Sequence, residues 1–444
     1  MTFAILAAGE GSRLEHEGVR EPKPLIRIGG ECLIDRLIRI FLSCGADRIC
    51  VVVNSRRPEV KAHLRSLRCP ELHLVVRDTP SSMHSLRALS PVLGDEPFVL
   101  TTVDTVFREE DFRRYLSEGD FAVTPWVDDE KPLWIDTDTE GFITAFRDEG
   151  PCPYVSGGIY RLTPPMMQVL GQCIERGEAR MRNFQRALLS AGFRLKAFPM
   201  ERILDIDHRA DIVKAESFLS RDILLVHRST RFTKGRPDDR LLLEAVGRNL
   251  QEEGFRIAET SEETLTEEML RRPLRCVLSM ARSPEALRLL EGCPWPVVNA
   301  PEAVRRAARR SDEGAPAPCW VKRDGYAESP ADVIFTPTEE ARLEAVEAMR
   351  SRGVSDIVFQ HHREGQEVKF YGVGRSFFRP EDLPALREKA LEAAAEKGLE
   401  IWGGDAVIGA GGDIHIIDLN DWPSFSSCRE EAAKAIAHYA LHQK

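Results

Sequence analysis

The chain has 444 residues, 43% of them hydrophobic and 30% charged, and carries a net charge of −10 at pH 7. That length predicts two or three separate cores, and the composition excludes a disordered, fibrous or low-complexity chain in favour of a globular enzyme. The acidic balance argues against nucleic acid or an anionic membrane surface as the main partner, so any phosphate site must be a local concentration of basic groups.

No uncharged apolar stretch reaches the ~18 residues of a membrane span, and the apolar start Phe3–Ala8 lacks the basic flank of a secretory leader. The cytoplasm is therefore the expected compartment. The 10 cysteines include no CxxC pair, which fits buried or free thiols better than a zinc site or a disulfide frame. No internal repeat points to a solenoid or propeller.

Along the first half, short apolar runs alternate with amphipathic segments: Phe3–Ala8, Leu33–Cys44, Ile49–Val53, Pro58–Leu67, Leu72–Val76, Ser85–Leu93, Phe98–Thr102 and Glu109–Tyr115. This alternation predicts a mostly parallel sheet with helices on both faces, the α/β class. Phe121–Val127, Leu133–Asp136 and Phe142–Phe146 read as hairpins laid over that core. A closing helix is expected over Ile206–Leu219, and a domain boundary near Ser220.

Two motifs in this half carry chemistry. The strand Phe3–Ala8 runs into a loop of small residues, Ala7, Ala8, Gly9, Gly11 and Ser12, followed by Arg13. Small residues let backbone N–H groups approach phosphate oxygens, and a guanidinium neutralises them. Downstream, Pro22 and Pro24 stiffen the backbone around Lys23 and hold its ammonium towards the same phosphates. Asp104 ends a strand, and Asp207 opens the closing helix, with Asp205 as its alternative. The motifs at Leu6–Leu14 and Pro22–Leu25 resemble those of the nucleotidyltransferases that join a nucleoside triphosphate to a phosphorylated small molecule. The resemblance covers about residues 1–219 and implies a Rossmann-like domain. It further implies that Arg13 and Lys23 are catalytic and that Asp104 and Asp207 hold Mg²⁺. Ser82 and Ser85, in the segment Thr79–Ser85, then contact the nucleobase, and Gly157, Gly158 and Tyr160 approach the acceptor. CTP is preferred over UTP by analogy. Trp126, Trp134 and Tyr154 are candidates for an aromatic cage, which makes phosphocholine an alternative acceptor.

The second half restarts with an apolar strand at Asp222–His227 and continues with alternating strands and helices at Asp238–Glu253, Phe255–Glu259, Arg275–Met280 and Pro284–Leu290. A Gly/Pro/Ala-rich link, Asp312–Pro318, separates this small α/β unit from a predicted antiparallel sheet of Cys319–Lys322, Val333–Thr336, Ile357–Gln360 and Glu367–Val373. A helix at Pro384–Lys397, strands Trp402–Ile408 and Asp413–Leu419 around a Gly409–Gly412 turn, and a terminal helix from Cys428 complete it. Residues two apart on a strand share a face, so Asp418 and Asn420 can reach one cation with Asp405 opposite. Their hard oxygens suit Mg²⁺. Lys322 and Lys369 sit on strands upstream, where either can neutralise nucleotide phosphates.

With the segments Val298–Ala303, the strand ending in Gln360–His362, the strand Glu367–Gly374 and Ile417–Pro423, this half resembles the ATP-grasp superfamily over about residues 222–444, and within it the inositol polyphosphate kinases. The α+β domain so implied comprises an N-terminal lobe at 222–311 and ATP-binding lobes at 319–444. By the same resemblance Asp405, Asp418 and Asn420 hold Mg²⁺, Lys322 and Lys369 contact ATP phosphates, and Gln360 lines the adenine pocket. His362 and Arg363, with His361 and Arg375 nearby, are candidates for an incoming phosphorylated substrate. The loop after Lys322 contains only Gly325, fewer glycines than such a phosphate-covering loop usually has. Three readings of this half stand side by side: a kinase, a carboxylate–amine ligase, and an ATP-binding module without turnover. The expected partner is a small phosphorylated molecule, an inositol phosphate by preference, with ATP and CTP as substrates and no nucleic acid.

Overall fold

The computed structural model describes residues 1–125, 131–229, 238–327 and 329–442. The chain forms two compact units, Met1–Leu219 and Ser220–Lys444.

In the first unit the apolar strand Thr2–Ala7 is buried on both faces, which is why it reads as a continuous hydrophobic run instead of an alternating one. Ala4 and Leu6 pack with Met83, Leu86 and Leu89 on one side, while Phe3, Ile5 and Ala7 pack with Ile34, Leu37 and Phe41 on the other. Helices Ser82–Leu93 and Leu33–Ser43 supply those opposing layers. Thr2–Ala7 pairs in parallel with Arg48–Val53 and Phe98–Thr102, and Leu72–Val76 adds a fourth parallel strand beyond Arg48–Val53. Because the chain starts in the middle and winds outwards in both directions, the carboxyl ends of Thr2–Ala7 and Phe98–Thr102 flank a topological switch point, where open α/β sheets bind ligands.

The segments expected as hairpins over the core instead extend the same sheet. The nine-residue strand Tyr154–Leu162 pairs antiparallel with Phe98–Thr102, Phe121–Thr124 and Trp134–Thr137, so it carries the last two into the plane. Of those segments, Trp134–Thr137 and Ile143–Arg147 pair with each other as a hairpin, at the sheet edge. The register of Tyr154–Leu162 shifts between Ser156 and Tyr160, at Gly157 and Gly158. A Cβ on Gly157 would lie 2.1 Å from Ile203 Cδ1, and Gly158 has φ +71. Gly158 therefore favours glycine, and any side chain at Gly157 would have to displace the Ile203 side chain.

The second unit opens on a parallel sheet of Arg256–Ser261, Asp222–His227, Cys276–Ser279 and Val297–Val298. The antiparallel strands expected to share one sheet divide into two. Cys319–Arg323 sits between Val333–Thr336 and Ile357–His361, whereas Gln366–Val373 joins Phe377–Arg379, Ile401–Ile408 and Ile414–Asp421. The chain leaves one sheet at His361 and enters the other after Gly365, whose φ of +152 and close approach to the Ile408 carbonyl exclude a side chain. Helix Pro384–Lys397 packs Leu386, Ala390 and Ala394 under the four-stranded sheet, and the terminal helix Arg429–Leu441 packs Ala433, Ile436 and Ala440 into the core beside Trp422.

Candidate functional site

In the first unit, the turn after Thr2–Ala7 and the turn after Phe98–Thr102 border a cavity of about 540 Å³. Its wall includes Ala8, Gly9, Gly11, Lys23, Ser82, Ser85 and Asp104. Gly11, at φ +69, caps the short helix Ser12–His16, and a Cβ there would press on the Lys23 Cβ at 3.3 Å. Glycine at this position thus brings the loop against Lys23. Residues Lys23–Leu25 form a 3-10 turn with Pro22 at its start and Pro24 within it, the stiffening expected around the ammonium.

Lys23 Nζ lies 2.6 Å from Asp104 Oδ2 and 2.6 Å from Asp207 Oδ1, and Arg13 meets the other oxygen of Asp207 at 2.8 Å. Two carboxylates far apart in sequence thus converge on one cation. Burial by itself would lower the Lys23 pKa, but the adjacent charges of Asp104 and Asp207 outweigh it and hold the ammonium protonated. Burial would raise Asp207, yet Lys23 and Arg13 bring its pKa below the usual carboxylate value. A two-stranded ribbon, Thr105–Val106 with Leu204–Asp205, delivers Asp207 to Asp104, and the Ile206 N–H donates to the Asp104 carbonyl. Asp211 then accepts from the backbone N–H groups of Asp207 and His208. The carboxylate that receives Lys23 and Arg13 is that of Asp207; Asp205 lies exposed on the ribbon.

The remaining sequence-selected residues fall around this centre. Ala7 is buried at the end of its strand and Ser12 begins the helix that carries Arg13. Gly158 stands over the Thr102 and Thr105 hydroxyls. Tyr160 is enclosed in the core with its hydroxyl 3.2 Å from Ser156 Oγ, and burial pushes its pKa up to about 12. Trp134 packs its ring on the backbone of Gly150, and Tyr154 leans on the core beside the helices. Trp126 lies outside the described residues.

Sequence reasoning missed Asn54, Arg56 and Asp78, which with Ser81 of the Thr79–Ser85 segment form the polar far wall. Asn54 is 6% exposed and donates to the Ala8 carbonyl at 3.0 Å, tying the loop to the next strand end. Asp78 accepts from Ser55 N and Oγ at 2.8 and 2.6 Å. Asn54 and Asp78 each follow a parallel strand at its carboxyl end, and that position was the available signal.

The second unit has its own cavity, of about 570 Å³, between the three-stranded and the four-stranded sheet. Lys369, Asp405 and Asp418 stand opposite one another on three neighbouring strands. Lys369 Nζ is 2.9 Å from Asp405 Oδ1, and this hydrogen bond raises the lysine pKa. Asn420 donates to Asp418 at 3.0 Å, so the two side chains share the predicted face. The register slips between Asp405 and Ala406, leaving Ile417 as an extra residue whose carbonyl meets the buried Lys322 ammonium at 3.4 Å. Burial, then Arg310, lowers the Lys322 pKa.

Arg310, absent from the sequence reading, lies 3.0 Å from Asp418. It sits past the end of helix Pro301–Ala308 in an irregular stretch without periodicity, so only the tertiary structure brings it to the site. Gln360, His361, His362 and Arg363 line the same cavity. Gln360 donates to the Ser311 carbonyl at 3.1 Å, and the His362 ring lies tilted against Phe335 with ring centroids 4.7 Å apart. Arg375 is exposed at a turn and does not line the cavity. Behind Asn420, the fully buried Asp421 receives Arg282 at 2.8 Å, Tyr326 Oη at 2.9 Å and Arg228 at 3.3 Å.

Among the described residues no helix is long and apolar enough to cross a membrane. Residues 3–164 match the MobA-like NTP transferase domain. A bifunctional IPC transferase and DIPP synthase of Rubrobacter xylanophilus is 34% identical over 149 residues, covering 33% of this chain and 32% of that protein. An adenosylcobinamide-phosphate guanylyltransferase of Methanocaldococcus jannaschii is 31% identical over 108 residues, covering 24% of this chain and 53% of that one. The chain thus spans about a third of the first relative and about half of the second. Among solved structures, the inositol-1-phosphate CTP transferase from T. maritima is similar at 20% identity with a TM-score of 0.41, over 47% of this chain and 90% of that one. The stretch that matches this family model lies wholly within the first unit and includes its parallel strands.

Proposed function

We propose that the first unit transfers a nucleotidyl group from a nucleoside triphosphate to a phosphorylated small polyol, releasing pyrophosphate. The observation that carries this is the meeting of Lys23, Asp104, Asp207 and Arg13 beside a cavity floored by a glycine-containing loop. Backbone N–H groups of the loop around Gly9 and Gly11 receive the triphosphate, and Lys23 and Arg13 neutralise charge on the α-phosphoryl group as the acceptor phosphate attacks in line. No covalent intermediate with the protein is required. The hard oxygens of Asp104 and Asp207, already gathered on one cation, fit Mg²⁺, which when bound supplies Lewis-acid polarisation of the phosphates. The acceptor-only carboxylate of Asp78 on the far wall favours a base that presents an amino group, which supports CTP over UTP.

An inositol phosphate is the preferred acceptor, because the second unit resembles the inositol polyphosphate kinases in its Lys322, Lys369, Asp405, Asp418 and Asn420 pattern. We assign that unit an ATP-dependent, ATP-grasp-type kinase activity. Its support is one cavity in which three cations, Arg310, Lys322 and Lys369, face Asp405 and Asp418. The carboxylates there also fit Mg²⁺, whose bound charge would add to that of the three cations.

The test is pyrophosphate release by the full chain with Mg²⁺, offering CTP, UTP, GTP and ATP against inositol, sugar, choline and glycerol phosphates. CTP with an inositol phosphate is the expected pair. No release with any pair, or rates unchanged in Asp104→Asn, would sink the assignment. For the second unit, ADP must form with a polyol and disappear in Asp418→Asn; ADP formed only with a carboxylate and an amine would make it a ligase.

A further inference from the structure

Away from both cavities, three side chains of different chemistry meet on the helical layer of the first unit. Cys32 ends a short strand and stands at the N-cap of helix Leu33–Ser43; Asp35 follows in the first turn, on the same face. His63 comes from the last turn of helix Pro58–Ser66. The Cys32 sulfur, an Asp35 carboxylate oxygen and a His63 ring nitrogen all lie within 4.8 Å of one another. His63 Nε2 is 2.6 Å from Asp35 Oδ1, and those two side chains are 26% and 27% exposed, while Cys32 is 3% exposed.

We propose that Cys32, Asp35 and His63 bind a thiophilic divalent cation of the zinc type. A thiolate, an imidazole and a carboxylate are the donors such a cation takes, and three protein ligands leave a fourth tetrahedral position for water. The sulfur selects against Mg²⁺ and Ca²⁺, which demand oxygen. Bond lengths of about 2.0–2.3 Å put tetrahedral ligand atoms roughly 3.3–3.7 Å apart, so the His63–Asp35 hydrogen bond opens by about 1 Å to admit the ion. The partial exposure of Asp35 and His63 provides the entry path, and the Cys32 thiol releases its proton to solvent on binding. None of the three residues borders the cavity at Lys23, so the ion ties two helices together on one face of the sheet and takes no part in phosphate chemistry. The absence of a CxxC pair concealed this site: two ligands share one helical turn, and the third comes from the next helix by packing.

The full chain is titrated with Co²⁺ in excess Mg²⁺, the latter occupying the carboxylate sites. A thiolate-to-cobalt charge-transfer band saturating at one equivalent and bleached by Zn²⁺ is expected. Cys32→Ser abolishes the band, and His63→Gln weakens binding by at least the roughly 10-fold that loss of an outer-sphere partner costs. Zn²⁺ also raises the melting temperature of the wild-type chain but not of Cys32→Ser. No thiolate band in the wild-type chain, or a band that survives in Cys32→Ser, overturns the proposal. Should Cys32→Ser fail to fold, unchanged affinity in His63→Gln overturns it equally.

Discussion

Glu400 offers a quantitative check on how the second unit is packed. Its Oε1 accepts from Tyr439 Oη at 3.2 Å, while its Oε2 is buried without a hydrogen-bond partner. Burial therefore favours the neutral acid and raises the pKa from 4.5 to about 7. A folded-state pKa above the unfolded one means that the fold holds the proton more tightly. The resulting stabilisation is complete below pH ~4.5 and is lost as pH rises through about 7. The difference of about 2.5 units corresponds to about 3 kcal/mol. In Glu400→Gln no proton is lost, so stability relative to the wild-type chain should climb between pH 5 and 8.5 by up to about 3 kcal/mol, or roughly 6–12 °C in melting temperature for a unit of this size. Urea unfolding followed by tryptophan fluorescence reads this directly, since Trp402 and Trp422 are buried in the cores of the same unit. A wild-type-minus-variant difference that stays flat across this range would refute the reasoning.

Other perturbations address the two sites and their supports. Lys23→Met should lower nucleotidyl transfer by about 10²–10³-fold with the fold retained, measured by pyrophosphate release and circular dichroism together; a near-normal rate would contradict its role at the phosphates. Gly157→Ala drives a methyl group into Ile203 and should cost about 1–3 kcal/mol in urea unfolding, and less when made in an Ile203→Ala background. If the substitution costs as much in that background as in the wild-type chain, the contact is not the cause. Asp421→Asn strips the shared partner from Arg228 and Arg282, both almost fully buried, and should lower the second unit's stability by about 3–5 kcal/mol. A thermal scan without a shifted transition would contradict this.

Much of the first unit could be read before its coordinates, because its signals are local. An apolar strand buried on both faces, a glycine-containing turn and a lysine between prolines each depend on a few neighbouring residues, and the structure places Gly9, Gly11, Lys23 and Asp104 around one cavity. The same holds for Asp418 and Asn420, two apart on a predicted strand and so on one face, whereas the register that sets Lys369 and Asp405 opposite Asp418 came from the structure.

What only the tertiary structure decided involves partners distant in sequence. The pairing of Tyr154–Leu162 with three strands turned expected hairpins into an extension of the sheet, and Gly365 split one expected antiparallel sheet into two. Arg310 reaches Asp418 from an irregular stretch, Asp421 gathers two arginines from a different sheet, and Cys32 meets His63 across two helices. Pattern in a sequence encodes which face a residue takes within its own element, since that follows from backbone periodicity. Which side chain stands opposite it depends on the register and packing of whole elements, and these emerge only when the cores close.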